Sequence, residues 1–384
     1  MFLAILTAVM LAGCNKQTEK AAVETEQVTA ISEVATMAET TAEVTTSTEE
    51  ETTAVETTTA AEEDNILSAV YSADEKYEQY PLEIIYKETV RDDVKWTSEI
   101  LTENFFNNRD VLITEFKAEY PVFEYDSKEA TEKINQQIKA YVDESYEFEK
   151  VFAAEKGYDN DGVYNEEIVD IYEKAGRTDD RILTFEVDSV CGNILSVCIT
   201  DYRYTAGAAH GYPLPVPMMF DLRTGEQVKL SEMVGDKLAF SEKFMASIAD
   251  VMFRTRFEQG TYNMADYKNF FTECMTSASG EEYGVDENGE LIIGYCIADT
   301  RLTVKNGCVG FYVAPYEYGS YADGIRLAEA PIDELLPYMN DKGKALFEGI
   351  TSATTAPVML TVEDDTEKII SREQAEKMLS EREE

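Results

Sequence analysis

The sequence predicts an α+β fold in which helices pack on antiparallel sheet, with two intimately packed α/β units between disordered tails. Two stripes of apolar residues at helical spacing, after residues 128 and 237, indicate two long helices. Alternating segments separated by short turns indicate hairpin strands. Long helices set against runs of hairpin strands are typical of α+β proteins.

The chain begins with an uncharged apolar run that ends in Leu-Ala-Gly-Cys at residues 11–14. A membrane-spanning helix needs roughly 20 apolar residues, so residues 1–13 indicate a secretory signal peptide instead. Leu-Ala-Gly-Cys resembles the bacterial lipobox, which implies that Cys14 is lipidated and anchors the protein to the extracytoplasmic face of the membrane. The alternative is an ordinary cysteine in a signal sequence. No Lys or Arg precedes the run, so we expect the true start upstream.

Both ends of the chain are predicted to be disordered. Residues 15 to 64 are mostly Thr, Glu, Ala and Val, and they carry 13 acidic residues against 2 lysines. Such a segment buries too little apolar surface to offset the entropy of ordering, so we expect a tether over residues 14–64. Residues 343–384 carry 10 acidic and 5 basic residues and are expected to form a flexible acidic tail.

The charge of the chain excludes some partners. The two tails account for −16 of the net charge of −43, which leaves −27 for residues 65 to 342. This region should repel nucleic acid and anionic lipid and attract cationic partners. Solubility alone is the alternative reason for such a charge.

The first predicted elements are a strand and a long helix. Glu115 to Tyr120 alternates like a half-buried strand. Asp126 is then predicted to cap a helix that runs to about Lys156, because a glutamate follows at the third helical position. The apolar residues of this helix recur at four-residue spacing and should form core: Ala130, Ile134, Ile138 and Val142.

The second half of the folded region is predicted to be rich in strands. A hairpin should form from residues 182–190 and 194–204 around a turn at Gly192-Asn193, followed by a strand at residues 216–222. A helix is expected from about Lys237 to Phe257, with four residues on its apolar side: Leu238, Phe244, Ile248 and Met252. Two later strands are expected at residues 291–298 and 308–314, after turns at 288–289 and 306–307.

The sequence lacks the patterns of catalytic and metal sites. His210 is the only histidine, whereas a catalytic zinc site usually needs two or three, and no Gly-x-Ser-x-Gly motif is present. The acidic loops around Gly162 and Gly289 lack the first and twelfth ligands of an EF-hand. We therefore expect no catalytic residues, no metal site and no cofactor. His210 is interpreted as a structural loop residue, with a partner contact and a catalytic role as alternatives.

Five cysteines follow Cys14, and their state cannot be assigned from the sequence. In an exported protein they could form two disulfides and leave one free thiol. They could equally be small buried hydrophobic residues. The five are Cys191, Cys198, Cys274, Cys296 and Cys308.

Three stretches together resemble known extracytoplasmic domains. Residues 202–211, Tyr-Arg-Tyr-Thr-Ala-Gly-Ala-Ala-His-Gly, are similar to the Tyr-x-Tyr-Thr-Gly-Gly-Ala-His-Gly signature of the RsiV-like (DUF3298) domain. Residues 310–324 resemble the closing strand and Pro-Tyr-Glu loop of that domain. Residues 120–138 resemble the small domain (DUF4163) that precedes it in PdaC-type peptidoglycan deacetylases. This chain has one extra residue before His210, so the loop conformation differs from the pattern.

The resemblance implies a non-catalytic binding module on a cell-surface lipoprotein. It implies a PdaC-like domain at 65–178 and an RsiV-like domain at 179–342, with peptidoglycan or a cationic wall-lytic enzyme such as lysozyme as the partner. A solute-binding lipoprotein and a cell-envelope hydrolase are the alternatives. Binding is expected on the two family-like loops, because loops commonly carry binding and tyrosine offers contact area with a polar tip. The candidate binding residues are Tyr204, His210, Tyr212, Tyr316, Tyr318 and Tyr321.

Overall fold

The structure is a computed structural model, and it describes part of the chain. The described residues are 68–69, 82–87, 91–159, 162–278, 283–285, 291–293, 296–317, 319–363 and 366–381. The predicted signal peptide, Cys14 and the predicted tether lie outside them, as do Tyr318 and the turn at 288–289.

The described residues form helices and mostly antiparallel sheets, as predicted. The strands are β1 (Ser68–Ala69), β2 (Leu82–Ile85), β3 (Lys95–Phe106), β4 (Leu112–Glu124), β5 (Asp179–Cys191), β6 (Ile194–Tyr204), β7 (Tyr212–Asp221), β8 (Tyr283–Val285), β9 (Leu291–Ile293), β10 (Cys296–Ile297), β11 (Leu302–Lys305), β12 (Cys308–Val313), β13 (Arg326–Pro331), β14 (Thr354–Pro357), β15 (Met359–Glu363) and β16 (Thr366–Ile370). The α-helices are α1 (Lys128–Glu155), α2 (Glu166–Glu173), α3 (Lys237–Glu258), α4 (Tyr267–Ala278), α5 (Ile332–Leu335), α6 (Asp341–Leu346) and α7 (Arg372–Ser380). Among the described residues, no helix is long and apolar enough to span a membrane.

A five-stranded sheet in the order β3-β4-β5-β6-β7 organises the first core. Its neighbours are antiparallel except β4 and β5, which pair in parallel because α1 and α2 connect them. The predicted border at residue 178 therefore falls between two strands of one sheet, and residues 65 to 384 form one compact unit. The two predicted units share this sheet.

Helix α1 covers the sheet with the apolar stripe that the sequence predicts. Its residues Ala130, Ile134, Ile138 and Val142 are buried. The predicted cap is wrong by one residue, since the N-cap is Ser127 and not Asp126. The side chain of Asn135 both accepts from the backbone N–H of Phe123 and donates to its carbonyl, which fixes α1 to β4.

A second core lies between α3 and the three-stranded sheet β11-β12-β13. Strand β12 is buried along its whole length, and Phe240, Phe244 and Phe253 of α3 are fully buried. Leu238 was predicted to belong to the apolar side of this helix but is 57% exposed, because it lies in the first turn, before the helix reaches the sheet. The strand predicted at residues 291–298 is two short antiparallel strands, β9 and β10.

The buried carboxylate of Asp188 joins the two sheets. It lies on β5 and accepts hydrogen bonds from Tyr312 at 2.9 Å and from Thr303 at 2.7 Å, both on the second sheet. Lys305 lies 3.4 Å from it. Because every partner comes from β11 or β12, this group fixes how the second sheet packs on the first.

The prediction of a flexible tail over residues 343–384 is wrong for most of that segment. It carries part of α6, then β14, β15, β16 and α7. Strand β14 pairs with β2, and β15 pairs with β1 and β16, so this segment pairs with the first two strands of the described residues. Buried Val358 and Ala375 hold this segment on the core. The prediction of a flexible tail relied on the charge of all 42 residues and so overlooked these few apolar positions.

Candidate functional site

Three of the predicted binding residues meet at one surface. His210 lies in the loop between β6 and β7, and Tyr316 and Tyr321 lie in the loop between β12 and β13. We call these three residues the aromatic cluster. The rings of His210 and Tyr321 are stacked with centroids 3.6 Å apart and planes inclined by 19°, and Tyr316 lies 5.8 Å from each.

The remaining predicted residues have other positions. Tyr212 begins β7, and its hydroxyl donates to the carbonyl oxygen of Pro315 at 3.1 Å, which ties the two loops together. Tyr204 is half-buried at the end of β6 and takes no part in the ring contacts of the cluster among the described residues. Tyr318 lies outside the described residues.

Hydrogen bonds fix the orientation of the His210 ring. Its Nδ1 lies 3.0 Å from the carbonyl oxygen of Gly211, which can only accept, so Nδ1 carries the proton. Nε2 lies at hydrogen-bond distance, 2.8 Å, from the Tyr316 hydroxyl. Both ring nitrogens are thereby engaged within the cluster, and the stacked rings form a preorganised surface.

The loop holds Tyr316 in a strained backbone conformation. Tyr316 has φ of 68°, a left-handed value that costs an L-residue roughly 1–2 kcal/mol. The next residue enforces it, because Glu317 accepts from the backbone N–H of Ala314 at 2.6 Å and pairs with Arg301 at 2.6 Å. As a result, 56% of the Tyr316 side chain is exposed above the surface. Strain of this kind persists where the surrounding contacts overdetermine it, often at ligand sites.

Two glycines shape the other loop. Gly207 has φ of 88°, a region that favours glycine. At Gly211 a Cβ atom would overlap the ring and hydroxyl of Tyr202. The backbone beside His210 can follow this path only because both positions lack a side chain.

A small cavity adjoins the aromatic cluster, and two arginines line it. Its volume is about 30 Å³. Ile248, Val251 and Met252 of α3 contribute apolar surface, and Arg256 and Arg326 contribute charge. We call it the arginine cavity; its lining continues along the loop through Pro315, Tyr316, Gly319, Ser320 and Asp323.

The two arginines of this cavity have few partners among the described residues, and Arg256 is close enough to the Asp323 carboxylate to help lower the pKa of that group. Both are half-buried, yet neither forms an ion pair or a side-chain hydrogen bond there, and the Nε atom of Arg326 is fully buried without an acceptor. Asp323 also lines the cavity, but its carboxylate accepts from Gln259 at 2.6 Å and from the Ser320 hydroxyl at 2.9 Å, where it closes a capping box.

A second cavity of about 270 Å³ lies between β2, α3 and β13. The Tyr86 hydroxyl donates to Glu329 at 2.5 Å, and burial raises the pKa of Glu329 above its ordinary value. Asp250, also buried, pairs with Arg254 at 2.7 Å. The polar groups of this cavity are thus bonded to one another.

The cysteines behave as buried residues. Cys191, Cys198 and Cys308 are buried and Cys274 is half-buried, and all four are free thiols. Burial raises the pKa of Cys274 to about 11 and that of Cys198 to about 12. The interpretation as small buried hydrophobic groups therefore fits these four, while the side chain of Cys296 lies outside the described residues.

The described residues contain no group of three His, Cys, Asp or Glu side chains positioned to hold a metal ion. Both acidic loops noted in the sequence are only partly described, because residues 160–161 of the first and residues 286–290 of the second lie outside the described range.

Comparison with protein-family models gives no match, and comparison with curated proteins gives none. Two solved structures are similar to this chain. A DUF3298 family member from Bacteroides fragilis NCTC 9343 is 13% identical, with a TM-score of 0.38, and the match covers 66% of this chain and 96% of that one. A DUF3298 family protein from Pseudomonas aeruginosa PAO1 is 13% identical, with a TM-score of 0.40, over 65% of this chain and 96% of that one.

The sequence pattern did not reveal the arginine cavity. Arg256 lies near the end of α3 and Arg326 opens β13, opposite Val313 of β12. They come together only through the packing of α3 on that sheet, which no local pattern records. The one available signal was the scarcity of basic residues, 33 against 76 acidic ones, which makes any arginine without a carboxylate partner informative.

Proposed function

We propose that this chain is a lipoprotein of the extracytoplasmic membrane face whose folded part is a non-catalytic binding module. Cys14 is its lipid anchor, and the module is related to the RsiV-like (DUF3298) and PdaC-type (DUF4163) domains. Its ligand is a component of the cell wall or a cationic wall-lytic enzyme such as lysozyme. The observation that carries the binding role is the aromatic cluster, in which rings from two loops are fixed by hydrogen bonds while Tyr316 is 56% exposed.

The geometry of the aromatic cluster suits ligand binding better than catalysis. Tyrosine side chains on preorganised loops provide large contact areas at a low entropic cost, which is why they are enriched among binding hot spots. The imidazole of His210 is held by a backbone carbonyl and a tyrosine hydroxyl rather than by a carboxylate and a nucleophile. Residues 65 to 384 carry a net charge of −32, which favours rapid association with a cationic protein.

Binding to muropeptides and to lysozyme tests the module. The purified full-length chain is titrated with each at low and moderate salt, and Tyr316→Ala should weaken specific binding by about 2 kcal/mol. Trp96→Ala is the matched control, because Trp96 is an exposed aromatic residue, 44% accessible, on edge strand β3. Equal affinity of both variants, or loss of all binding at moderate salt, contradicts the proposal. Binding of a small solute instead favours the solute-binding alternative.

The anchor is tested separately. Cys14→Ala should abolish lipidation and release the protein from the detergent phase in a partitioning experiment. Unchanged partitioning and normal cleavage of this variant are the outcome that contradicts an anchor at Cys14.

A further inference from the structure

The arginine cavity has the character of an anion site. A half-buried guanidinium without an acceptor is costly, since each unsatisfied buried donor costs roughly 1–3 kcal/mol. Such a donor is present here, because the Nε of Arg326 is fully buried and has no acceptor among the described residues. A second arginine, Arg256, lines the same cavity of a chain with a net charge of −43, and the only carboxylate in the described part of that lining is Asp323. An anionic group of a ligand would supply the acceptor that the described residues do not.

The size of the cavity limits that group. About 30 Å³ accommodates about two water molecules, which corresponds to the two oxygens of a carboxylate. The fork of a guanidinium matches a carboxylate and a phosphate alike, but a carboxylate has only two oxygens to place in this small space and a phosphate has four. The apolar side of the cavity, from Ile248, Val251 and Met252, would contact carbon atoms beside the carboxylate.

The cavity opens beside the aromatic cluster. Tyr316 belongs to both, and Ser320 and Asp323 of the cavity lining flank Tyr321 in the chain. A ligand held at the cavity by one charged group would thus present its remainder to the exposed ring of Tyr316. The Asp323 carboxylate is hydrogen-bonded in the capping box and to Gln259, and it interacts with Arg256 by charge alone, so the donors of Arg256 and Arg326 stay available for a ligand.

We propose that the arginine cavity binds a carboxylate group of the ligand, while the rest of that ligand lies on the aromatic cluster. This inference rests on the proposed binding function and specifies the chemistry of its ligand. A carboxylate can come from an acidic sugar or from the end of a peptide, and both contain the same recognised group.

Pairs of ligands that differ only in the charged group measure the effect of the carboxylate on affinity. The full-length chain is titrated by NMR with N-acetylmuramic acid and with its methyl ester, and in parallel with N-acetyl-alanyl-alanine and its amide. At least one acid should bind roughly tenfold or more tightly than its neutral form, because a hydrogen bond to a charged group has about this effect. Which acid does so distinguishes a sugar source from a peptide source. Equal binding within both pairs, or tighter binding of inorganic phosphate, overturns the inference.

Variants of the protein locate the site. Arg326→Gln and Arg256→Gln should each weaken binding of the acid about tenfold and leave the neutral form unchanged. Arg372→Gln removes the same charge at an exposed position paired with Glu376, and it should have no effect. Circular dichroism shows whether each variant folds. If Arg326→Gln does not fold, Arg326→Lys provides a second test, because it keeps the charge but loses the planar fork. Wild-type affinity in both Gln variants overturns the inference.

The two proposals fail in different ways. Muropeptide binding that depends on Tyr316 but shows no preference for acid over neutral ligand overturns the carboxylate site and leaves the binding module. A preference for acid that depends on Arg326 but not on Tyr316 overturns the aromatic cluster as the binding surface.

Discussion

Two arginine environments in this protein show the difference between a charge that stabilises the fold and one that is left for a ligand. Arg181 on β5 is 3% exposed, and its donors bond Asp201, Glu149 and Ser145. Arg326 on β13 is half-buried, and its buried Nε has no acceptor in the part of the chain that the structure describes. Nearly every donor of the first guanidinium is used within the chain, whereas the second leaves donors unused beside an exposed aromatic surface.

The carboxylates differ in the same way. Burial by itself raises the pKa of Asp201, but hydrogen bonds and charge from Arg203 and Arg181 hold its pKa below the ordinary value. Glu329, in the cavity beside β2, has its pKa raised by burial, and the hydroxyl of Tyr86 compensates only in part. Asp201 thus keeps its charge because two guanidinium groups contact it, whereas Glu149 and Asp250, each hydrogen-bonded to one arginine, have a pKa raised by burial.

The largest effect that tests this comparison is on stability. Arg181→Met should lower the free energy of unfolding by about 3–5 kcal/mol, because it leaves buried Glu149 without its hydrogen-bonded cation and leaves Asp201 with Arg203 alone. Arg326→Met removes an unsatisfied donor and leaves no charge behind, so it should change stability far less. Urea unfolding followed by circular dichroism measures both, and similar losses would remove the distinction between the two sites.

The sequence predicted the elements around Arg181 better than the surroundings of Arg326. The four-residue apolar spacing of α1 and the turn at Gly192-Asn193 are local patterns, and the structure has both nearly at the predicted limits. The contact of Arg181 with Asp201 follows from pairing of β5 with β6, which a hairpin implies. The arginine cavity depends instead on how α3 packs on β12 and β13.

Contacts between residues that are distant in the sequence also explain the other features that the sequence did not predict. The role of Asp188 between two sheets and the pairing of β14 with β2 join residues more than 100 positions apart, and no sequence period encodes them. His210, Tyr316 and Tyr321 were named as candidate binding residues on two family-like loops, and their contact with one another is a finding of the structure. The left-handed backbone of Tyr316 was not predicted, because it depends on the contacts of Glu317.

A smaller effect concerns the strain at Tyr316. Tyr316→Gly and Tyr316→Ala both remove the ring and its hydrogen bond to His210, so their difference reports the backbone alone. The glycine variant should be more stable than the alanine variant by about 1 kcal/mol, since φ of 68° disfavours a residue with a Cβ. Thermal or urea unfolding measures this difference. An alanine variant at least as stable as the glycine variant would show that the loop does not hold this conformation.

The smallest effect expected is a pH-dependent one at Glu329. Because its pKa is higher in the folded than in the unfolded state, the folded state binds the proton more tightly and loses stability as pH rises above the unfolded value of about 4.3. Glu329→Gln does not titrate and still offers an oxygen to Tyr86. Relative to the wild type, this variant should therefore gain stability as pH rises from about 4, and the gain should level off above the folded pKa.

The control for this prediction must carry the same change in net charge. Glu99→Gln does so, and Glu99 also accepts from a tyrosine hydroxyl, that of Tyr120 at 2.7 Å, but on exposed strand β3. Unfolding free energies of the three proteins, measured in urea between pH 4 and pH 7, separate the local effect from general repulsion in an acidic chain. The gain in Glu329→Gln should exceed that in Glu99→Gln. Parallel curves for the two variants would mean that ionised Glu329 costs the folded state no more free energy than a surface carboxylate does. The contrast with Asp201 would then rest on the arginines alone.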